Sequence, residues 1–107
     1  MQRSLGEFEE LVLLMVAALH GEAYGISILE NLEIRLQKKL NISAVHVVLT
    51  RLLDKGFVKS RFGGISPERG GRRKKLYAVT ALGQRMLDET YEVRVSLYRD
   101  IPKISFS

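Results

Sequence analysis

The stretch Asn41-Ile42-Ser43-Ala44-Val45-His46-Val47-Val48-Leu49-Thr50-Arg51-Leu52-Leu53-Asp54-Lys55-Gly56 decides how this chain folds. Asn41 is a good N-cap, and the pattern behind it predicts a helix from Ile42 to about Lys55, which Gly56 ends. Val45, Leu49 and Leu52 form its buried stripe. The opposite face displays Ser43, His46, Val47, Thr50 and Asp54, spaced i, i+3, i+4, i+7 and i+11. Val47 is out of place there, an apolar residue with no evident core to enter. Just upstream, Ile26, Leu29, Leu32, Leu36 and Leu40 recur in steps of three or four, one face of a helix that starts near Tyr24. Only a short turn around Leu40 and Asn41 separates the two, which is the spacing of a helix-turn-helix.

Further toward the N-terminus, Glu7 to about His20 carries a long apolar run rich in Leu, Met and Ala, which favours a helix. Gly21 stops it, with His20 in the last turn. Downstream of Gly56 the period changes. Phe57 to Phe62 suits a strand, residues 63–71 with four glycines and a proline read as a loop, and Lys74 to Val79 reads as the returning strand. The expected fold is therefore mainly α with a small β-hairpin: a winged helix-turn-helix in residues 1–79. Thr80 is a plausible N-cap for a last helix, with Ala81 at its first position and Pro102 beyond its end. In that helix Leu87, Tyr91, Tyr98 and Ile101 fall at a-and-d-like spacing, interrupted by Arg94. Met86, Val93, Val95 and Leu97 widen the apolar surface. Such a helix either completes the core or pairs with a second copy. Pairing is the favoured expectation for residues 80–107, because recognition helices work in symmetric pairs.

The 107 residues, 46% hydrophobic and 27% charged, fit one globular domain. There is no cysteine, and His20 and His46 are too far apart to suggest a metal cluster. The apolar run from Leu11 to Leu19 is far shorter than the roughly 20 residues that span a bilayer. Preceded by Glu7, Glu9 and Glu10, it is also wrong for a signal peptide, so a cytoplasmic protein without membrane or cofactor is expected. The net charge of +5 is uneven: residues 41–79 carry nine Lys/Arg against two acids, while the flanking thirds are acidic or neutral. A basic block of this kind is an electrostatic footprint for polyanions.

Two features carry the expected chemistry. The helix over residues 42–55 is about 20 Å long at 1.5 Å per residue, a fit to the major groove of double-stranded DNA. Ser43 and Thr50 can hydrogen-bond bases or phosphates, Val47 can touch a thymine methyl, and His46 can donate or accept. The run Arg69-Gly70-Gly71-Arg72-Arg73-Lys74-Lys75 places five cations in seven residues at the hairpin tip, where a phosphate backbone would relieve their repulsion. No catalytic grouping competes, and an enzyme is not expected. A different class of reading is a winged-helix protein-interaction module whose basic wing grips an acidic partner; it has no need of the polar helix face and the wing together. An RNA-binding module would need exposed stacking aromatics. The apolar last helix also offers room for a small hydrophobic effector, or simply interface packing.

Several motifs together carry a resemblance. Leu5-Gly6-Glu7-Phe8-Glu9-Glu10-Leu11, Glu22-Ala23-Tyr24-Gly25, Leu49-Thr50-Arg51-Leu52-Leu53-Asp54-Lys55-Gly56-Phe57-Val58 and Glu68-Arg69-Gly70-Gly71-Arg72-Arg73-Lys74-Lys75-Leu76-Tyr77 follow one another in order and spacing. Over residues 5–83 the chain resembles the PadR family of bacterial transcriptional regulators, in its compact branch with one long dimerisation helix. The resemblance implies a homodimer that usually represses transcription from a palindrome-like operator. It implies that Ser43, Ala44, His46, Val47 and Thr50 face the groove, and that Arg72, Arg73 and Lys74 are wing contacts. Tyr24, at the start of the second helix, either approaches phosphate or packs in the core. This chain departs from the family in carrying His46 where tyrosine is common. A histidine there supplies either a pH-dependent charge or a neutral hydrogen-bonding group.

Overall fold

The computed structural model describes residues 4–65 and 73–104. Its elements run α1 (Glu7–Ala18), α2 (Gly25–Leu36), α3 (Ile42–Asp54), β1 (Val58–Ile65), β2 (Arg73–Val79) and α4 (Ala81–Arg99). The core lies where the first three helices meet the base of the hairpin. Val12, Leu13 and Val16 of α1 pack with Ile28 and Leu32 of α2, Val45, Val48, Leu49 and Leu52 of α3, and Phe57 and Val58. Fully burying an aliphatic or aromatic side chain of this size contributes about 1.5–3 kcal/mol. The predicted stripe Val45, Leu49 and Leu52 is thus the core face of α3.

Chain punctuation follows local chemistry. Asn41 caps α3, its Oδ1 accepting from the Ser43 amide at 2.7 Å. Gly21 and Gly56 take φ of 89° and 79°, a left-handed conformation that costs glycine little, and each ends a helix turn. Thr80 caps α4 by accepting from the Gly83 amide at 3.1 Å, while its hydroxyl donates to the Gly56 carbonyl at 2.6 Å. Gly83 then lies directly on Phe57, so close that a Cβ would overlap the Phe57 carbonyl oxygen. These contacts, with Leu87 buried in the core, seat the first two turns of α4 on the winged domain.

Four details differ from the sequence expectation. Helix α1 stops at Ala18 with Leu19 as its cap, which leaves His20 exposed beyond it. The fully buried positions of α2 are Gly25, Ile28 and Leu32, with Leu29 and Leu36 partly buried against the core as expected, but Ile26 is exposed. Gly25 faces α3, where the His46 side chain occupies the space a Cβ would take. The helix also ends at Leu36, where Gln37 turns left-handed at φ 55°. The turn to α3 is held by Glu33, whose Oε2 accepts from the Leu40 amide at 2.9 Å. Third, β1 continues through Gly63 and Gly64 to Ile65 rather than ending at Phe62. Phe62 pairs with Lys75 and Ile65 with Arg73, so two glycines oppose Lys74 alone, a β-bulge. Finally, α4 ends at Arg99, which leaves Ile101 outside the helix just before Pro102. Proline disfavours helical backbone in the residue before it.

Candidate nucleic-acid interface

The inward side chains of α3 leave Ser43, Ala44, His46, Val47 and Thr50 exposed together. Val47 is 50% exposed, an apolar side chain offered to solvent from the middle of a polar face. Thr50 donates its hydroxyl proton to the His46 carbonyl one turn back, at 3.1 Å. What it presents outward is therefore a lone pair, an acceptor for the amino group of adenine or cytosine. Arg51, exposed on the same helix, adds a cation the sequence reading passed over.

His46 stands on the flank of this face that turns toward α2. A Cβ built on Gly25 would lie 2.8 Å from the His46 Cε1 and 3.2 Å from its Nε2. The preceding residue, Tyr24, is the N-terminal cap position of α2. Its amide donates to the Ser27 hydroxyl oxygen at 2.9 Å, and the Ser27 hydroxyl is in turn 2.8 Å from the Glu22 carbonyl, which accepts from it. The Tyr24 ring is half-buried, with the Lys74 ammonium 4.5 Å from its centroid. Such a cation–π contact contributes about 0.5–1 kcal/mol at an exposed site. The Ala23 carbonyl accepts from the Tyr77 amide at 2.8 Å, tying the same segment to β2. Three consecutive residues thus touch the wing, the wing again, and the third helix.

The wing is cationic along its described length. Lys59, Arg61, Arg73 and Lys75 are exposed and Lys74 is half-buried against Tyr24. In the antiparallel register Lys59 opposes Ala78 and Arg61 opposes Leu76, so both cations share one face of the hairpin. That face forms a hollow of about 300 Å³ with Gly21. Period-two alternation in the first strand was the signal that could have found Lys59 and Arg61. Of the expected wing contacts, Arg72 lies outside the described residues, as do Arg69 and the rest of the tip.

Helix α4 separates into two parts. Leu87, expected at a pairing surface, is buried within this chain's own core. Tyr91, Tyr98 and Ile101 are 68%, 76% and 52% exposed, with Val93 and Leu97 also open. Arg94, which breaks the apolar spacing, makes a paired contact with Glu10 of α1: Nε donates to Oε2 at 3.1 Å and the terminal nitrogen to Oε1 at 2.7 Å. Planar forks of this kind are the directional form of ion pair. It holds α4 against α1 while its tyrosines remain uncovered. Among the described residues no group of three His, Cys, Asp or Glu could hold a metal ion, and no helix is long and apolar enough to cross a membrane.

A helix-turn-helix that bares a polar helix beside a cationic hairpin defines a transcriptional regulator with a winged-helix, DNA-binding fold. The chain belongs to the PadR-like family of transcriptional regulators, whose family model matches residues 13–89. Among solved structures it is similar to a PadR-like transcription factor from Bacteroides fragilis, with 20% identity, a TM-score of 0.70, and 86% of this chain and 84% of that one covered. It is similar also to RosR of H. salinarum, with 22% identity, a TM-score of 0.70, and 94% and 83% covered. A transcriptional regulator from Streptococcus aligns at 17% identity and a TM-score of 0.70, over 86% and 85% of the two chains. No curated protein matches the chain.

Proposed function

We propose that this regulator binds double-stranded DNA as a homodimer and represses transcription, with α3 in the major groove and the wing over residues 63–75 on the backbone or in the minor groove. The observation that carries this reading is the neighbouring pair Tyr24 and Gly25, one beneath Lys74 of the wing and the other beneath His46 of α3. The polar helix face and the wing cations therefore border one edge of the molecule, as a single duplex would require. Ser43, Ala44, His46, Val47 and Thr50 read bases; Arg72, Arg73 and Lys74, joined by Lys59 and Arg61, neutralise phosphates. Tyr24 serves by holding Lys74 in place.

Residues 1–79 then carry recognition and residues 80–107 pairing, the first two turns of α4 anchoring one to the other. Tyr91, Tyr98 and Ile101 form the pairing surface, and Leu87 fixes the angle at which the helix leaves the core. An apolar surface of this extent on a small chain marks an association site. Binding two half-sites one turn of DNA apart would require the paired third helices to lie about 34–36 Å apart.

The direct test is fluorescence anisotropy with the duplex upstream of the protein's own gene, against a scrambled duplex, over a salt series. Selective binding that weakens steeply with salt is expected, together with raised transcription from that promoter when the gene is deleted. Equal, salt-insensitive affinity for both duplexes would refute the reading.

A further inference from the structure

We propose that Gly25 is a specificity-determining positioning residue: its missing side chain seats the His46 imidazole against the start of α2 and so fixes what α3 offers to the groove. The inference rests on the proposed major-groove role of α3. The three atoms nearest a Cβ at residue 25 are Cε1 at 2.8 Å, Nε2 at 3.2 Å and Nδ1 at 3.7 Å, the whole polar edge of the ring. That edge is turned toward α2 instead of straight out from α3. Glycine is a poor helix former, and among the described residues the glycines with left-handed backbone are Gly21 and Gly56. Close approach, not backbone conformation, is thus what requires a glycine at position 25.

When a side chain is added there, one partner must yield. Gly25 is buried, and the backbone beside it is held by the Tyr24–Ser27 hydrogen bond and by Ile28 in the core. His46 is exposed on its outer side. The imidazole is the part that moves, swinging off α2 toward the surface that meets the groove. A methyl at residue 25, which touches no DNA, would in this way change the donor and acceptor pattern at one base pair.

The test compares wild type, Gly25→Ala, His46→Ala and the double variant on a duplex selected from a random pool and on its scrambled counterpart. Gly25→Ala is expected to lower the ratio of selective to scrambled affinity about tenfold, the scale of one mismatched base pair, because the displaced imidazole presents the wrong groups to the groove. In the His46→Ala background the same change should add nothing. Equal loss in both backgrounds would overturn the proposal, because Gly25 would then serve the backbone. So would an unchanged ratio. The ring Cε1–H resonance of His46, followed by NMR in the DNA-free protein, moves in Gly25→Ala if the seat exists and stays put if it does not. A wild type without selectivity would refute the DNA reading itself, and this resonance tells that failure apart from a wrong seat.

Discussion

His46 and Gly25 occupy complementary space: the imidazole of one fills the volume that any side chain on the other would need, to within 2.8 Å of a Cβ. Through that contact α3 is packed on α2 at its exposed flank as well as its core face. With Lys74 on Tyr24 beside it, the surface proposed to meet DNA is held in place within the single chain. Preorganisation of this kind spares a binding surface the cost of ordering.

The wing and the helix should divide the work. Arg61→Ala and Arg73→Ala, one on each strand of the hairpin, should weaken binding to every duplex and reduce the salt slope by about one for each lost phosphate contact. Thr50→Ala should instead cost about 1–2 kcal/mol on the selected site and leave scrambled DNA nearly untouched. Uniform loss across all sequences for Thr50→Ala would contradict the division.

Replacing Tyr91 and Tyr98 by glutamate should give a folded monomer that binds DNA weakly. Both rings are exposed in the single chain and contribute little to its own core, so the monomer should still melt cooperatively, losing only the stability that pairing adds. Sedimentation velocity reads the outcome, and a persistent dimer would move the interface elsewhere.

Glu9 makes stability depend on acid. Burial works to raise its carboxyl pKa, but the Gly6 amide at 2.7 Å, the Lys55 ammonium at 2.8 Å and the charge of Arg51 outweigh it, and the net shift is downward from 4.5. A folded value below the unfolded one stabilises the protein fully above the ordinary carboxyl range, and that contribution is lost as pH falls through the lowered value. Glu9→Gln should therefore cost on the order of 1–2 kcal/mol at pH 7, where a hydrogen-bonded charge is lost. The gap to wild type should close as melting curves are taken toward about pH 3, below the ordinary carboxyl range. A gap constant with pH would show that the carboxylate charge is not what matters.

Gly83→Ala should destabilise the fold by about 1–3 kcal/mol, as overpacking does. The added methyl would overlap the Phe57 carbonyl, which also accepts from the Thr80 amide at 3.0 Å, and would press on Val79. Denaturant melting checks this, and a neutral result would mean that α4 is seated less firmly than Leu87 suggests.

Neighbouring residues settle much of this protein among themselves, and the order of amino acids alone carries that part. Asn41 and Thr80 cap because a short polar side chain reaches an amide two or three residues ahead. Gly21 and Gly56 end turns because they reach positive φ cheaply, and Val45, Leu49 and Leu52 face inward because the helical period lines them up. These local rules were enough to read the winged helix, its polar face and its basic hairpin. Docking of the elements settled everything that depends on residues far apart in the chain. Docking of α2 left Ile28 in the core and Ile26 exposed, and it set Gly25 against His46. Hairpin register set Lys59 opposite Ala78 and Arg61 opposite Leu76 and turned two glycines into a bulge. Packing of α4 buried Leu87 and paired Arg94 with Glu10, at a separation in sequence that no periodic pattern reaches. Side-chain volume and rigid-body fit govern such contacts, and they exist only once the helices have docked.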